Sequence, residues 1–270
     1  MKYIPSEEAE EINYQTERHP WLNVIVLVVS AIALYLVFIF AIGLFGETLA
    51  VKIPPKYETS IFSFMDFEIA KKPWPLGQEI VDDIFARNEI DPELKPQIFL
   101  SCGDMVNALA LPGKRIIVFK GLLKDIKSLN SLYFVIGHEI GHVIHRDHLR
   151  SIGRALAISI GLFFVNVGTD SNSFFSFNQA IIDRRFNQNQ ETASDNEAIK
   201  FTVKRFNGLH RSHDFFDQIS KTEIGSTKLS GFLNTHPLTE HRIEKIKNHK
   251  DYNTDTTNIE GFDSKTLDCP

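Results

Sequence analysis

The chain has 270 residues, of which 43% are hydrophobic and 23% are charged. This composition is typical of a folded protein and excludes general disorder. A net charge of −5 gives no electrostatic reason for binding nucleic acid, so we predict no such partner. The two cysteines, Cys102 and Cys269, are too few for a disulfide framework or a cysteine-based zinc site. Their number leaves open whether they form one disulfide or remain free thiols.

An apolar segment follows a polar N-terminal segment, residues 1–20. Residues 21–45, WLNVIVLVVSAIALYLVFIFAIGLF, contain no charged side chain. A helix needs about 20 mostly apolar residues to cross a bilayer, so we predict a transmembrane anchor in contact with membrane lipid. A buried core helix is one alternative, although such helices are rarely apolar on all sides over this length. A cleaved signal peptide is another, although the preceding segment is acidic. Basic residues are nearly balanced around the segment, so its orientation stays open.

Short elements are predicted after the anchor. Residues 46–78 form a connector rich in proline, in which residues 59–70 have the loose alternation of a strand. Apolar spacing predicts a helix over Ile80–Asn88. Three short strands follow, at Gln97–Ser101, Val106–Leu111 and Arg115–Phe119. The last two are joined by a Pro-Gly-Lys turn, which indicates a hairpin.

The second half of the chain is predicted to be mainly helical. Ser128 is a candidate N-cap for a helix, and a second helical pattern covers Gln188–Ala198. We favour a half-buried core helix over a membrane-dipping segment for Ile152–Gly168, which is short for a membrane span. Residues 251–270 are polar and lack periodicity, so we predict a loose tail. Residues 79–250 therefore form the expected domain, of the α+β class and mainly helical, with a small β-sheet.

The sequence His138-Glu139-Ile140-Gly141-His142 has the HExxH pattern. On a helix, side chains four residues apart lie on one face, so both imidazoles can bind the same metal ion. Glu139 lies one helical step away, where it can act as a general base without being a ligand. The flanking glycines, Gly137 and Gly141, each cost helix stability. We expect them because another part of the chain must approach the helix backbone closely.

The pattern needs a third metal ligand from elsewhere. His145 is three residues beyond His142, and a straight helix carries it away from an ion held by His138. We therefore interpret His145 and His148 as surface or supporting residues. In the segment QNQETASDNEA, Glu191 and Asp195 are four residues apart on a predicted helix. Glu191 can complete a His-His-Glu set, and Asp195 can accept the remaining ring N–H of a ligand histidine.

Four segments together resemble a known family, the membrane-associated zinc metallopeptidases that include CAAX prenyl proteases, HtpX and Oma1-like proteins. They are VNALALPGKRIIVFKGLL, VIGHEIGHVIHRDH, ETASDNEA and THPLTEHRI, and they span roughly residues 97–247. The resemblance implies a gluzincin fold in which one Zn²⁺ is bound by His138, His142 and Glu191. Glu139 is then the catalytic base.

The resemblance also implies roles for residues outside the ligand set. Asn107 and Ala108 correspond to the strand on which a peptide substrate pairs as an added β-strand. His236 corresponds to a histidine near the active site, where it either stabilises the oxyanion or occupies the open zinc position in a latent state. The chain is most similar to the small, singly anchored members. This similarity implies a bacterial inner membrane location, with the catalytic domain on the extracytoplasmic side.

These features predict a membrane-anchored zinc endopeptidase that acts on unfolded or membrane-associated proteins in protein quality control. The alternative is an anchored zinc-binding chaperone or adaptor without proteolytic activity. An intact Glu139 argues against the alternative, because a purely structural zinc site has no need of a base.

Overall fold

The structure, a computed structural model, describes residues 20–63, 65, 72–163, 185–210, 212, 214–215, 230–237, 240–253, 259–263 and 269. The chain divides into two units, residues 1–41 and residues 42–270. Helix α1 (Pro20–Ala50) is long and apolar enough to cross a membrane. Within the described residues, it is the one helix with this property. Residues 164–168, the last part of the predicted core helix Ile152–Gly168, lie outside the described residues.

The second unit is mainly helical and contains one small sheet, so the predicted fold class is confirmed. Its elements, in chain order, are α2 (Pro55–Ile61), α3 (Pro75–Arg87), β1 (Gln97–Ser101), β2 (Ala108–Leu111), β3 (Arg115–Phe119), α4 (Lys120–Asp125), α5 (Leu129–Ile144), α6 (Asp147–Phe163), α7 (Gln188–Phe206), α8 (Ser230–Thr235) and α9 (Glu240–Lys247).

The sheet has the strand order β1-β3-β2. Strands β2 and β3 form the predicted hairpin, in which Ala108 is opposite Val118 and Leu111 is opposite Arg115. Strand β1 runs parallel to β3. The hairpin turn places Gly113 and Lys114 at positive φ angles of 77° and 56°. Strand β2 is last in the strand order, so within the described part of the chain it lies at an edge of the sheet, as a substrate-pairing strand requires.

Helices α5 and α7 carry the predicted metal-site residues and pack closely against each other. Ser128 caps α5 as predicted, since its side chain accepts a hydrogen bond from the backbone N–H of Ser131. A Cβ added at Gly141 would lie 2.8 Å from the Cα of Ser194 in α7. One added at Gly137 would lie 3.4 Å from the Cα of Ala198. Helix α7 is therefore the part of the chain that approaches the α5 backbone closely at the two glycines, as expected.

The connector differs from the sequence prediction. Helix α1 continues to Ala50, and α2 covers residues 59–61, where a strand was predicted. Gly46 of α1 and Gly153 of α6 lie backbone against backbone, because a Cβ on either would clash with the carbonyl oxygen of the other. This close contact lies in the part of α1, residues 46–50, that follows the predicted apolar segment.

The C-terminal segment, predicted to be loose, is attached to the domain at its described residues. The backbone N–H of Leu129 donates to the carbonyl of Glu260, and Phe262 donates to Lys127. Cys102 and Cys269 form a disulfide with a Cα–Cα distance of 5.5 Å. Composition alone cannot reveal either attachment, because both depend on residues more than 100 positions away.

Candidate metal centre

Three side chains on α5 and α7 converge at one buried point. The Nε2 atoms of His138 and His142 are 3.2 Å apart. Glu191 lies 3.4 Å from His142 through Oε1 and 3.5 Å from His138 through Oε2. Ligands about 2.0–2.1 Å from a tetrahedral zinc ion are separated by about 3.3–3.4 Å. The separations between the two Nε2 atoms, and from each Nε2 to its nearer Glu191 oxygen, therefore fit a zinc ion held by these three side chains.

Each histidine is oriented by a carboxylate on its other ring nitrogen. The Nδ1 of His138 lies 3.0 Å from Oδ1 of Asp195, in the arrangement predicted for that residue. The Nδ1 of His142 lies 2.9 Å from Oδ2 of Asp147. Such carboxylates fix the imidazole tautomer and direct Nε2 towards the metal. Sequence reasoning missed Asp147, although it follows His142 by only five residues.

Arg242 of α9 joins the two acidic residues of α7. Its guanidinium donates to both carboxylate oxygens of Asp195, at 2.7 and 2.8 Å, and lies 2.6 Å from Oε2 of Glu191. It also donates to the backbone carbonyl of Pro237. Arg242 is only 1% exposed, so this contact fixes α9 and the Pro237 segment against the metal centre. Sequence reasoning missed it, although it lies in the quoted segment THPLTEHRI.

Burial and charge act in opposite directions on the ionisable groups of the centre. Burial lowers the pKa of His138, but Asp195 and Glu191 outweigh it and raise this pKa to about 10. Burial would raise the pKa of Glu191, whereas His236, His138 and His142 hold it well below its usual range. Without a metal, a proton on His138 thus partly offsets the carboxylates. A metal ion must displace that proton, so metal binding releases it.

The centre has an excess of negative charge. Four buried carboxylates contact its histidines, those of Glu139, Asp147, Glu191 and Asp195. Among the described residues, one buried guanidinium, that of Arg242, contacts these carboxylates. Neither carboxylate oxygen of Glu139 has a hydrogen-bond partner within the described part of the chain. Buried charges require compensation. A divalent cation provides it, and the donor set of two imidazoles and a carboxylate suits zinc.

His236 lies directly beside the three ligand atoms. Its Nδ1 is 3.3 Å from Nε2 of His138 and 3.1 Å from Oε1 of Glu191, close to the spacing within the ligand set. Its Nε2 is 3.5 Å from Oε1 of Glu139. The ring stacks on Phe232 at 4.7 Å between centroids. Burial lowers the pKa of His236 despite its acidic neighbours, which favours the neutral imidazole that a metal ligand requires.

The predicted substrate-binding residues lie close to this histidine. Thr235, which precedes His236, donates a hydrogen bond from its hydroxyl to Oδ1 of Asn107. The same oxygen accepts from the backbone N–H of Ala108, the first residue of β2. Every residue of β2 is fully buried in this conformation. The edge strand, His236 and the ligand set are thus adjacent.

The remaining histidines of the HExxH segment lie away from the ligand atoms. His145 is half-buried at the C-terminal end of α5. His148 is fully buried, and its Nε2 lies 2.8 Å from Oε1 of Glu58. Of the two interpretations of His148, burial excludes a surface residue and leaves a supporting one, whose partner Glu58 lies in the predicted connector.

Comparisons with known proteins identify the family. The family model described as peptidase family M48 matches residues 77–250. The chain is 27% identical over 156 residues to "Metalloendopeptidase OMA1, mitochondrial" of Bos taurus, covering 52% of this chain and 30% of the relative. It is 25% identical over 152 residues to "Metalloprotease LoiP" of Escherichia coli, covering 53% and 58%. It is 38% identical over 72 residues to "Protease HtpX homolog" of Thermoplasma acidophilum, covering 25% and 22%.

In each of these pairs the chain covers less than two thirds of the relative's length. The family match, over residues 77–250, includes more than half of this chain and all four residues of the candidate metal group, His138, His142, Glu191 and His236. The resemblance seen in the sequence motifs is thereby confirmed: the chain belongs to peptidase family M48.

Proposed function

We propose that this chain is a membrane-anchored zinc endopeptidase that hydrolyses peptide bonds in unfolded or membrane-associated proteins. The observation that carries the proposal is the triangle formed by His138, His142 and Glu191, with the buried carboxylate of Glu139 beside it. A structural zinc site is closed by its ligands and needs no further acid. Glu139 therefore favours catalysis over a chaperone or adaptor role.

The chain's own residues divide the reaction between them. His138, His142 and Glu191 would hold zinc, with Asp195 and Asp147 fixing the two imidazoles. The chemistry that zinc supplies when bound is Lewis-acid polarisation of the scissile carbonyl and acidification of the attacking water. Glu139 accepts a proton from this water as its oxygen attacks the carbonyl carbon. It then returns the proton to the amine nitrogen as the C–N bond breaks.

We further propose that the conformation described is latent. His236 Nδ1 lies at ligand spacing from His138 and Glu191, and the edge strand β2 is buried. A substrate that pairs with Asn107 and Ala108 needs this strand accessible. If His236 moves away from the ligand atoms and the Thr235 hydroxyl moves away from Asn107, the open metal position and the substrate strand become accessible together. Replacement of His236 by alanine is then expected to raise basal proteolysis, whereas an oxyanion role predicts a loss.

The second unit, residues 42–270, which we call the catalytic unit, is proposed to lie on the extracytoplasmic side of the membrane. The support is the Cys102–Cys269 disulfide, since disulfides form and persist in oxidising compartments. Protease added to cells with a permeabilised outer envelope and an intact inner membrane is expected to digest this unit, and resistance before lysis would contradict the assignment. The lipid contact of α1 rests on its length and apolar composition.

The catalytic proposal is tested with the purified full chain and an unfolded protein such as casein. Glu139→Gln is expected to retain zinc and to lose more than about 99% of the proteolytic rate, because general-base catalysis contributes about 10²–10⁴-fold. Glu197→Gln is the matched control, since Glu197 lies on α7 but pairs with Lys200 away from the ligands. A chelator should stop the wild-type reaction. Retained zinc with undiminished proteolysis in Glu139→Gln would refute the mechanism.

A further inference from the structure

Glu58 is a fully buried acid in α2, the short helix that begins five residues after the end of α1. Its Oε1 accepts hydrogen bonds from the backbone N–H groups of Gly113 and Lys114, both at 3.1 Å. The same oxygen lies 2.8 Å from Nε2 of His148. Its Oε2 lies 3.0 Å from Nη1 of Arg146. One carboxylate therefore contacts two separate parts of the catalytic unit.

The first of these parts is the corner between α5 and α6. Arg146 adopts a left-handed φ of 60° there, a backbone conformation that residues other than glycine rarely adopt without support. The corner is supported from the connector, because the Arg146 guanidinium also donates to the backbone carbonyl of Ile53. Arg146 and His148 thus fasten the two ends of a three-residue segment to Glu58 and its neighbourhood.

The middle residue of that segment is Asp147, which orients the metal centre. Its Oδ2 lies 2.9 Å from Nδ1 of His142. Its Oδ1 accepts a hydrogen bond at 2.8 Å from the side chain of Gln190, the residue before Glu191. The position of Asp147 therefore sets the orientation of one predicted ligand and the approach of the helix that carries another.

The second part held by Glu58 is the β2–β3 hairpin. Gly113 and Lys114 form its turn, and both have positive φ angles. The side chain of Arg115 attaches the same hairpin to the connector, by donating to the backbone carbonyls of Phe62 and Met65. The predicted substrate strand and the α5–α6 corner are thereby held by the same connector.

We propose that Glu58 is a positioning residue for the metal centre, acting through Arg146, His148 and Asp147 on the imidazole of His142. The segment that follows the membrane anchor is then part of the active-site framework instead of a linker. The charge of Glu58 supports this role: burial would raise its pKa, but His148 and Arg146 hold it below its usual range. The inference rests on the proposed function in that the centre is a zinc site.

The test is a double-mutant cycle on zinc affinity, measured by chelator competition with the full chain in detergent. Asp147→Asn is expected to weaken zinc binding by about 10–100-fold, as loss of an orienting carboxylate does. Glu58→Gln, one step more distant, is expected to weaken it by roughly three- to tenfold. If Glu58 acts through Asp147, the double variant loses less than the product of the single losses.

Asp83→Asn is the control, because it makes the same chemical change in a carboxylate that contacts Tyr133 and Arg87 away from the centre. Its zinc affinity should match that of the wild type. Wild-type affinity in Glu58→Gln, or single losses that multiply in the double variant, would overturn the proposal. If Glu58→Gln does not fold, His148→Gln takes its place in the cycle with the same expected outcome. If the wild type binds zinc but does not cleave casein, the proposed function is refuted. The cycle still decides the role of Glu58, because it measures zinc affinity and not proteolysis.

Discussion

Replacement of Arg242 by methionine should perturb the proposed metal centre without replacing any of its proposed ligands. The guanidinium makes two contacts with Asp195, at 2.7 and 2.8 Å, and one of 2.6 Å with Glu191, and it is 1% exposed. Removing one partner of a buried ion pair costs about 3–5 kcal/mol, because it leaves a buried charge uncompensated. For a domain of this size, about 1 kcal/mol lowers the melting temperature by about 2–4 °C. We therefore expect Arg242→Met to melt roughly 6–20 °C below the wild type.

The loss should depend on zinc. A divalent cation partly compensates the charges of Glu191 and Asp195, so thermal unfolding with zinc should show a smaller difference than unfolding with a chelator. Arg87→Met is the control, because Arg87 is 43% exposed in its pair with Asp83 and such pairs contribute about 1 kcal/mol or less. A loss no larger than that of Arg87→Met, or a loss equal with and without zinc, would refute this account of Arg242.

Three further predictions concern stability and metal binding. Gly141→Ala should weaken zinc binding by roughly tenfold or more, because the new Cβ would lie 2.8 Å from the Cα of Ser194 and displace α7; chelator titration measures this. Gly261→Ala, with nothing within 4 Å, should bind as the wild type does. Cys102→Ser should lower the free energy of unfolding by about 2–5 kcal/mol, and a reducing agent should reproduce that loss in the wild type alone. In the metal-free chain the pKa of His138 is raised to about 10, so its stabilising contribution is complete below about pH 6.5 and is lost as the pH rises towards 10. Denaturant titrations at pH 6, 8 and 10 measure it, and a flat profile would contradict it.

Features that depend on local spacing were predictable from the sequence. Strands β1 and β3 have the predicted bounds, and Ser128 caps α5 as expected. The four-residue spacing within the HExxH and Glu191–Asp195 motifs places each pair on one helix face, which is a property of helix geometry alone. Because both helices also bury an apolar face, their packing brings the two motifs together. The roles of these residues in catalysis remain predictions.

Features that depend on distant charge pairs were not predictable. Glu58 is 90 residues from His148, and Arg242 is 47 residues from Asp195. Glutamate and arginine are rarely fully buried unless they are paired, so a single sequence favours a solvated position for each. The attachment of the C-terminal segment at its described residues was not predictable for a related reason, since a polar composition does not reveal the disulfide between Cys102 and Cys269.

The distribution of buried charge supports the proposal that these distant pairs serve a metal centre. Within the described residues, the buried acidic and guanidinium side chains form one connected set: Glu58, Glu139, Arg146, Asp147, Glu191, Asp195 and Arg242. Each either contacts a histidine or carboxylate of the centre or joins it through the α5–α6 corner. A buried ion pair contributes little net stability compared with apolar packing, so stability alone does not account for the set. Its five carboxylates outnumber its two guanidinium groups, and a bound divalent cation reduces that excess. Zinc binding is therefore expected to be coupled to the stability of the whole unit, including the connector that carries Glu58.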